Sequence, residues 1–427
     1  MDSKGITLFK DFLERDTLFY AVLAVICLFN IACAIWNNYW TDIDTCYWER
    51  TGHIIAGEVP YRDFVYEYPP LSIPFMLIPR LLSWDLMSFH IIYMVFSSAA
   101  FILSAMVLDR ISSRFIGARY GTRLLMLLAL MFLNLFILQR NDIFPILMIL
   151  LSLWMYLEKR YELAIFIMAL AGMTKLYPVL FLVPMMLPFL MRLDWRMMLK
   201  GVMIVGLVFL VSELPFLIAD PSTALDYLSY HSDRGLQVES VLSSFIMLAS
   251  LFSDLGLQVV FNYGSDNLVG ALPDAIAPYM NMLMMAMLVL SGLISIWLYR
   301  RNDLGGREGP VMAVLCIVLL MVFIAFSKVF STQYAFWVLT MVPFVFVRGL
   351  STAHRKEICI VTAVYLLFSY LAMITYFDMI VFDPLAIVLS FLKNVSFLLL
   401  MAEIVHLFWT EMVRKEGDID CGLFIRG

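Results

Sequence analysis

The sequence predicts an all-α polytopic membrane protein, and three observations carry that prediction. Hydrophobic residues make up 63% of the 427 and charged residues only 15%, too few charges to cover a soluble protein of this length. Mean hydropathy is +0.89. The apolar residues gather into twelve runs, near 18–36, 87–108, 122–138, 143–157, 163–174, 177–191, 200–218, 276–299, 310–326, 333–347, 357–377 and 385–409. A spanning helix needs about 20 apolar residues, so 143–157 and 163–174 are too short to cross alone. Pairs of short helices meeting at polar turns are expected to line a cavity, where irregular backbone is tolerated.

The first run follows a segment that is polar through Asp16 and has no cleavage-site pattern, so it reads as a retained span. Orientation comes from Lys and Arg in the short loops. Lys4, Lys10 and Arg15 precede the first run, and Arg110, Arg114, Arg119 and Arg123 follow the second. Lys159-Arg160, Arg192 to Lys200, Arg300-Arg301 with Arg307, Arg348 to Lys356 and Arg414-Lys415 fall on the same side if twelve runs cross. That side is expected to be cytoplasmic, with both termini there. The first outer loop, 37–86, then carries three arginines (Arg50, Arg62, Arg80) against seven acids (Asp42, Asp44, Glu49, Glu58, Asp63, Glu67, Asp85). Residues 241–262 are apolar enough for another span, but a crossing there would put Arg300, Arg301 and Arg307 outside. Residues 220–275 are therefore expected to form one long outer segment with an interfacial helix. Residues 1–427 read as a single integral membrane domain, with no internal repeat and no room for a soluble one.

Other classes are excluded by what is missing. The net charge of −5 comes without a basic run, so nucleic acid is not an expected partner. The six cysteines (Cys27, Cys33, Cys46, Cys316, Cys359, Cys421) show neither metal nor redox spacing, and no disulfide framework is implied.

Five polar groups share the expected outer side. They are the loop 37–86; Gln139-Arg140-Asn141-Asp142; Thr174-Lys175-Leu176-Tyr177-Pro178; Tyr230-His231 through Arg234, Gln237 and Glu239 to Ser240; and Ser327-Lys328 with Ser331 to Tyr334, including Gln333. Ionisable groups at membrane depth cost roughly 2.5–3.5 kcal/mol each on insertion scales, so they usually face a cavity and carry function. Each group also has a plainer reading. Asp42 or Asp44 can cap a helix, Arg140 can pair locally with Asp142, Lys175 can snorkel to the interface, and His231 can be a solvated loop residue. Their shared side favours function.

The set suits a reaction in which a phosphate-linked group leaves while a hydroxyl attacks. Arg140, Lys175, Arg234 and Lys328 are the candidates to hold the phosphate. Asp42 and Asp44, the carboxylates nearest a span, are the candidate general bases. Two aspartates two residues apart point the same way on an extended backbone, but no further ligand follows at metal spacing, so a metal-free base is preferred. A secondary transporter is the main rival and a non-catalytic membrane scaffold the third class. Transporters place ionisable groups near the midplane and often show inverted repeats; here the acids sit at span ends.

The order of these motifs resembles a GT-C glycosyltransferase. Thr41-Asp42-Ile43-Asp44, Gly57-x-x-Pro60-Tyr61-Arg62-Asp63 and Glu67-Tyr68-Pro69-Pro70-Leu71 resemble the first outer loop of glycosyltransferase family 87. The Thr-Asp-Ile-Asp run is also similar to the catalytic subunit of GPI mannosyltransferase I. Gln139-Arg140-Asn141-Asp142 resembles the family's Gly-Gln-x-Asp turn, departing from its simpler spacing, and Lys175 to Pro178 its Lys-x-Tyr-Pro element. The likeness runs from about residue 40 to 345. It implies a GT-C-like fold of about twelve transmembrane helices with an extracytoplasmic cavity in a cell membrane. It also implies a polyprenyl-phosphate-sugar donor, mannose before other sugars, a glycolipid or glycan acceptor, no cofactor, no metal, and inversion at the sugar carbon. By that likeness Asp42 or Asp44 is the base, with Asp42 favoured. Arg62, Asp63, Glu67, Tyr68, Asp142, Tyr177, His231, Gln237, Gln333 and Tyr334 would then contact donor or acceptor.

Overall fold

A computed structural model describes residues 13, 15–38, 43–230, 234–302, 304, 307–348, 350 and 354–413, with Asp44 and Thr45 described by backbone alone. The chain is a multi-pass helical membrane protein. Helix α1 (Asp16–Asn37) leads into a π-helical turn (Ile43–Trp48), α2 (Glu49–Ile55) and α3 (Ile73–Leu81). Helices α4 (Leu86–Ile111), α5 (Arg119–Leu138), α6 (Ile143–Leu157), α7 (Tyr161–Gly172), α8 (Val179–Met191) and α9 (Trp195–Ala219) follow. After a segment with α10 (Asp226–Tyr230), β1 (Leu236–Gln237), α11 (Val241–Ser250), β2 (Gln258–Asn262) and β3 (Ser265–Val269) come α12 (Ala271–Arg301) and α13 (Glu308–Phe326). The chain ends with α14 (Tyr334–Met341) and its 3-10 extension to Phe346, then α15 (Arg355–Ile374), α16 (Tyr376–Ile380) and α17 (Pro384–Val413).

Each of the twelve apolar runs is thus a helix, and among the described residues eight helices are long and apolar enough to cross a bilayer by themselves. The other four, α6, α7, α8 and α14, have 15, 12, 13 and 8 residues. At 1.5 Å per residue, twelve residues reach about 18 Å against a hydrocarbon core of about 30 Å. Helices α4 and α9 each begin at an aspartate whose side chain caps them. Asp85 and Ser88 form a reciprocal capping box on α4, with Ser88 N–H to Asp85 Oδ1 at 2.8 Å and Asp85 N–H to Ser88 Oγ at 3.0 Å. Asp194 caps α9 through the Met197 N–H at 3.0 Å.

The apolar core is centred on α13, where 78% of the most apolar stretch is buried, against 11% for α12 at the periphery. Helix α12 is hydrophobic on its exposed side too, as a lipid-facing helix must be. Residues 220–275 depart from the all-α expectation by a small antiparallel sheet of order β1-β3-β2. Tyr263 and Gly264, at φ +48° and +68°, turn the β2–β3 hairpin, and two left-handed residues in a row are what a tight hairpin of the natural twist requires. The segment also holds the helix α11. Its Val241, Ile246 and Met247 are buried, and it packs on α17.

The two ends of the bundle differ in charge. At one end, Asp109 of α4 receives Arg119 Nη2 at 2.6 Å and Arg123 Nη2 at 2.8 Å, and Arg123 also bonds Asp16 Oδ1 and the Leu13 carbonyl, each at 2.6 Å. Further ion pairs at that end are Arg114–Glu158, Arg192–Glu308, Lys200–Glu162 and Arg307–Glu411. This basic end gathers the loops that the orientation argument placed on one side. The opposite, loop end holds residues 43–86 and the polar turns. Arg123 is only 1% exposed, and removing one partner of a buried charge cluster costs about 3–5 kcal/mol. Arg123→Met is expected to lower the thermal unfolding midpoint sharply in detergent micelles; an unchanged midpoint would show the cluster to be structurally idle.

Candidate active site

The short helices set back the turns that join them. Gln139, Asn141, Asp142 and Thr174 are all at most 1% exposed, although they lie between helices. Five polar segments gather here, the first three tied to one another, the fourth to the fifth, and the third to the fifth through the Tyr177–Trp337–Tyr334 stack. Tyr47, on the π-helical turn that carries Asp44, accepts the Asn141 N–H at its hydroxyl at 3.0 Å. Leu71, just past the Pro69-Pro70 pair, donates its N–H to the Met173 carbonyl at 2.8 Å. The first loop is thereby fastened to both interhelical turns.

Those two turns meet through Asp142. Its Oδ1 receives Lys175 Nζ at 2.6 Å and Trp337 Nε1 at 2.7 Å. The Arg140–Asp142 pair that sequence proximity suggests does not form, because the turn directs the carboxylate toward Lys175, 33 positions along the chain. Nor does Lys175 reach out to an interface: its side chain is 15% exposed and its ammonium lies 5.8 Å from the Tyr68 ring and 5.2 Å from that of Trp337, within cation–π range. Tyr177 and Tyr334 stack on either partner face of Trp337, both at 3.8 Å between ring centres.

The fourth and fifth segments interlock beside this stack. Gln237 donates its N–H to the Lys328 carbonyl at 3.0 Å and accepts the Phe330 N–H at Oε1 at 2.9 Å. Lys328 Nζ donates to the Arg234 carbonyl at 3.0 Å, while the Arg234 guanidinium holds the Tyr263 carbonyl at the hairpin tip at 2.9 Å. Glu239, 2% exposed, receives Lys393 Nζ of α17 at 3.2 Å and the Thr332 hydroxyl. Asn394 Nδ2 donates to the Glu239 carbonyl at 3.1 Å.

The first loop holds itself in shape. Arg50 grips Glu67 at 2.7 and 2.8 Å, so Glu67 is buried as an ion-pair partner. Tyr61, at φ +70°, spends its hydroxyl on the Tyr68 carbonyl at 2.7 Å. Arg62 and Asp63 are not drawn into the recess. They face outward and pair at 2.8 Å, and the Arg62 guanidinium, with the Val59 N–H at 2.7 Å, holds the Asp63 carboxyl down at about 2. That closure is complete above the ordinary aspartate value and is lost as pH falls through about 2. Asp42 and His231 lie outside the described residues, as does the side chain of Asp44.

Several buried polar atoms around Asp142 have no hydrogen-bond partner among the described residues. They are Asp142 Oδ2, both side-chain polar atoms of Asn141, the Tyr177 hydroxyl and Gln333 Oε1. Buried polar groups are nearly always paired, so such a cluster marks a place that a ligand, an ion or ordered water would complete. Among the described residues no three histidine, cysteine or acidic side chains gather to hold a metal ion. The family model of glycosyltransferase family 87 matches residues 66–327, which include the two interhelical turns and the fourth segment. The chain belongs to glycosyltransferase family 87. It is therefore a membrane glycosyltransferase, which decides against the transporter and the scaffold. No curated protein matches it.

Sequence reading missed Trp337, Tyr47, Arg50 and Lys393. Only Lys393 left a signal, being a lysine in the middle of an apolar run. Trp337 is the sharpest test of the arrangement. Trp337→Phe keeps the ring stack and deletes the donor to Asp142. Hydrogen bonds to charged groups contribute about 1.5–3 kcal/mol, so sugar transfer is expected to fall about ten- to a hundredfold and the unfolding midpoint to drop by a few degrees, with the protein still folded. Unaltered transfer would show that Asp142 needs no such restraint.

Proposed function

We propose that the protein moves a sugar, mannose before others, from a polyprenyl-phosphate-sugar to a hydroxyl of a glycolipid or glycan at the extracytoplasmic face. The observation that carries this reading is the cluster of unpartnered buried atoms on Asn141, Asp142, Tyr177 and Gln333 around a clamped lysine. Hydroxyl-rich rings are what such donors and acceptors, placed beside aromatic faces, hold well. The lysines and arginines clustered at the opposite end favour that end as cytoplasmic, which supports an outward-facing site.

In the proposed reaction Asp42 or Asp44 takes the proton of the acceptor hydroxyl, whose oxygen attacks the anomeric carbon. The bond from that carbon to the phosphate oxygen breaks, the sugar carbon inverts, and the lipid phosphate departs with the electron pair. Lys175 and Arg140, on the turns bound to the first loop, stabilise the phosphate charge, and burial strengthens their effect. Arg234 and Lys328 contribute their charge at longer range, since each donates to a backbone carbonyl. Asn141, Gln333 and Tyr177 fix the sugar hydroxyls.

The test is sugar transfer by purified protein in liposomes containing polyprenyl-phosphate-mannose and a glycolipid acceptor. A general base contributes about a hundred- to ten-thousandfold. Asp42→Asn with Asp44→Asn is expected to lose activity on that scale while the protein stays monodisperse. The single replacement that reproduces the loss identifies the base. Full activity of the double variant removes both residues from the mechanism.

A further inference from the structure

A second recess adjoins the site and no assigned role uses it. Between the loop-end halves of α1, α4 and α5 lies a cavity of about 370 Å³, within the range of about 300–1,000 Å³ usual for small-molecule sites. Asn30, Cys33 and Asn37 of α1 face Met94 of α4 and Asn134 and Gln139 at the end of α5. The spacing of the three α1 residues places them on one helical face. Every described wall residue is uncharged.

Amides are poor residues for a lipid-facing span, and these are arranged to a pattern. Asn134 Nδ2 donates to Asn30 Oδ1 at 2.5 Å, Asn30 Nδ2 to the Ile26 carbonyl at 2.9 Å, and Asn37 Nδ2 to the Cys33 carbonyl at 2.9 Å. The relay uses one N–H of each of these three amides and leaves the second free to donate. Oδ1 of Asn134, and of the exposed Asn37, has no protein donor among the described residues. A hydroxyl can both donate to such acceptors and accept from the remaining N–H groups, whereas a phosphate anion offers acceptors alone and finds no cation among the described wall residues. Simple helix-to-helix adhesion through Asn30 and Asn134 would need no cavity beside it.

Position links this void to the chemistry. Gln139 belongs both to its wall and to the turn that Tyr47 anchors through Asn141. Asn37 closes α1 just before the segment that carries Asp42 and Asp44. We infer that the cavity is the acceptor subsite, taking the neutral, hydroxyl-bearing head of a membrane amphiphile and presenting it to the first loop. The inference rests on the glycosyltransferase reading of the adjoining recess.

Cys33 supplies a native probe. In lipid nanodiscs its alkylation by N-ethylmaleimide is followed by mass spectrometry, with the exposed Cys359 as internal reference. Dodecyl mannoside at about four times its Kd is expected to slow Cys33 alkylation about fivefold, from 1 + [L]/Kd, and to leave Cys359 unchanged. Polyprenyl phosphate is expected to protect neither thiol. Protection by the phosphate instead, or by neither lipid, overturns the acceptor assignment. Asn134→Leu, which keeps volume and removes the amide, is expected to raise KM for the alkyl mannoside without moving KM for the donor lipid; an unchanged acceptor KM in folded protein counts against it equally. Donor consumption is recorded in the same samples. Consumption without Cys33 protection sinks the subsite alone, and protection without consumption sinks the glycosyltransferase chemistry proposed for the recess.

Discussion

The Asp142 carboxylate, shared between Lys175 and Trp337, is the contact on which the loop end depends. It joins the α5–α6 turn, the α7–α8 turn and the start of α14, three pieces far apart in sequence. Burial makes the contact strong and also demanding. Two ions removed from water need each other and further hydrogen bonds to offset lost hydration, and the indole N–H provides one. With that node in place the first loop docks through Tyr47 and Leu71, and the fourth and fifth segments dock through Gln237, Glu239 and Lys328.

Helix length explains why such a node exists within a membrane protein. Helices α6, α7, α8 and α14 stop short of a full span, and the long helix α4 packs on α6 and the long helix α9 on α7 and α8. Irregular backbone at that depth survives because it is enclosed by protein. The result is a buried polar cluster in which side chains are held by one another and several of their atoms remain unused. A rigid, partly unsatisfied polar surface suits a ligand whose hydroxyls complete it.

Much of this was legible in the sequence, for identifiable reasons. Apolar run length located all twelve helices, because burial of backbone in lipid leaves the chain little choice. The grouping of polar turns at one end followed from counting crossings. Partners were harder. Arg140 stands two residues from Asp142, yet Lys175 takes the carboxylate, since turn geometry rather than sequence distance decides which side chains meet. The β2–β3 hairpin is too short to stand out from a loop, and Val259-Val260-Phe261 of β2 read as the end of the apolar stretch 241–262. Lys393 and the buried Glu213 of α9, bonded to the Tyr227 hydroxyl at 2.5 Å, were visible as charges inside spans, and both proved to be paired. Trp337 carried no signal, because tryptophans near helix ends are common in membranes.

In the proposed reaction the turns around Asp142 and Lys175 receive the donor lipid phosphate and its sugar. A cryo-electron-microscopy map of the protein with a non-hydrolysable polyprenyl-phosphonate sugar tests this directly. The account predicts the phosphonate within hydrogen-bonding reach of Lys175 or Arg140, with the sugar against Asn141 and Gln333. A phosphonate at the basic end, near Arg119 and Arg123, would contradict it.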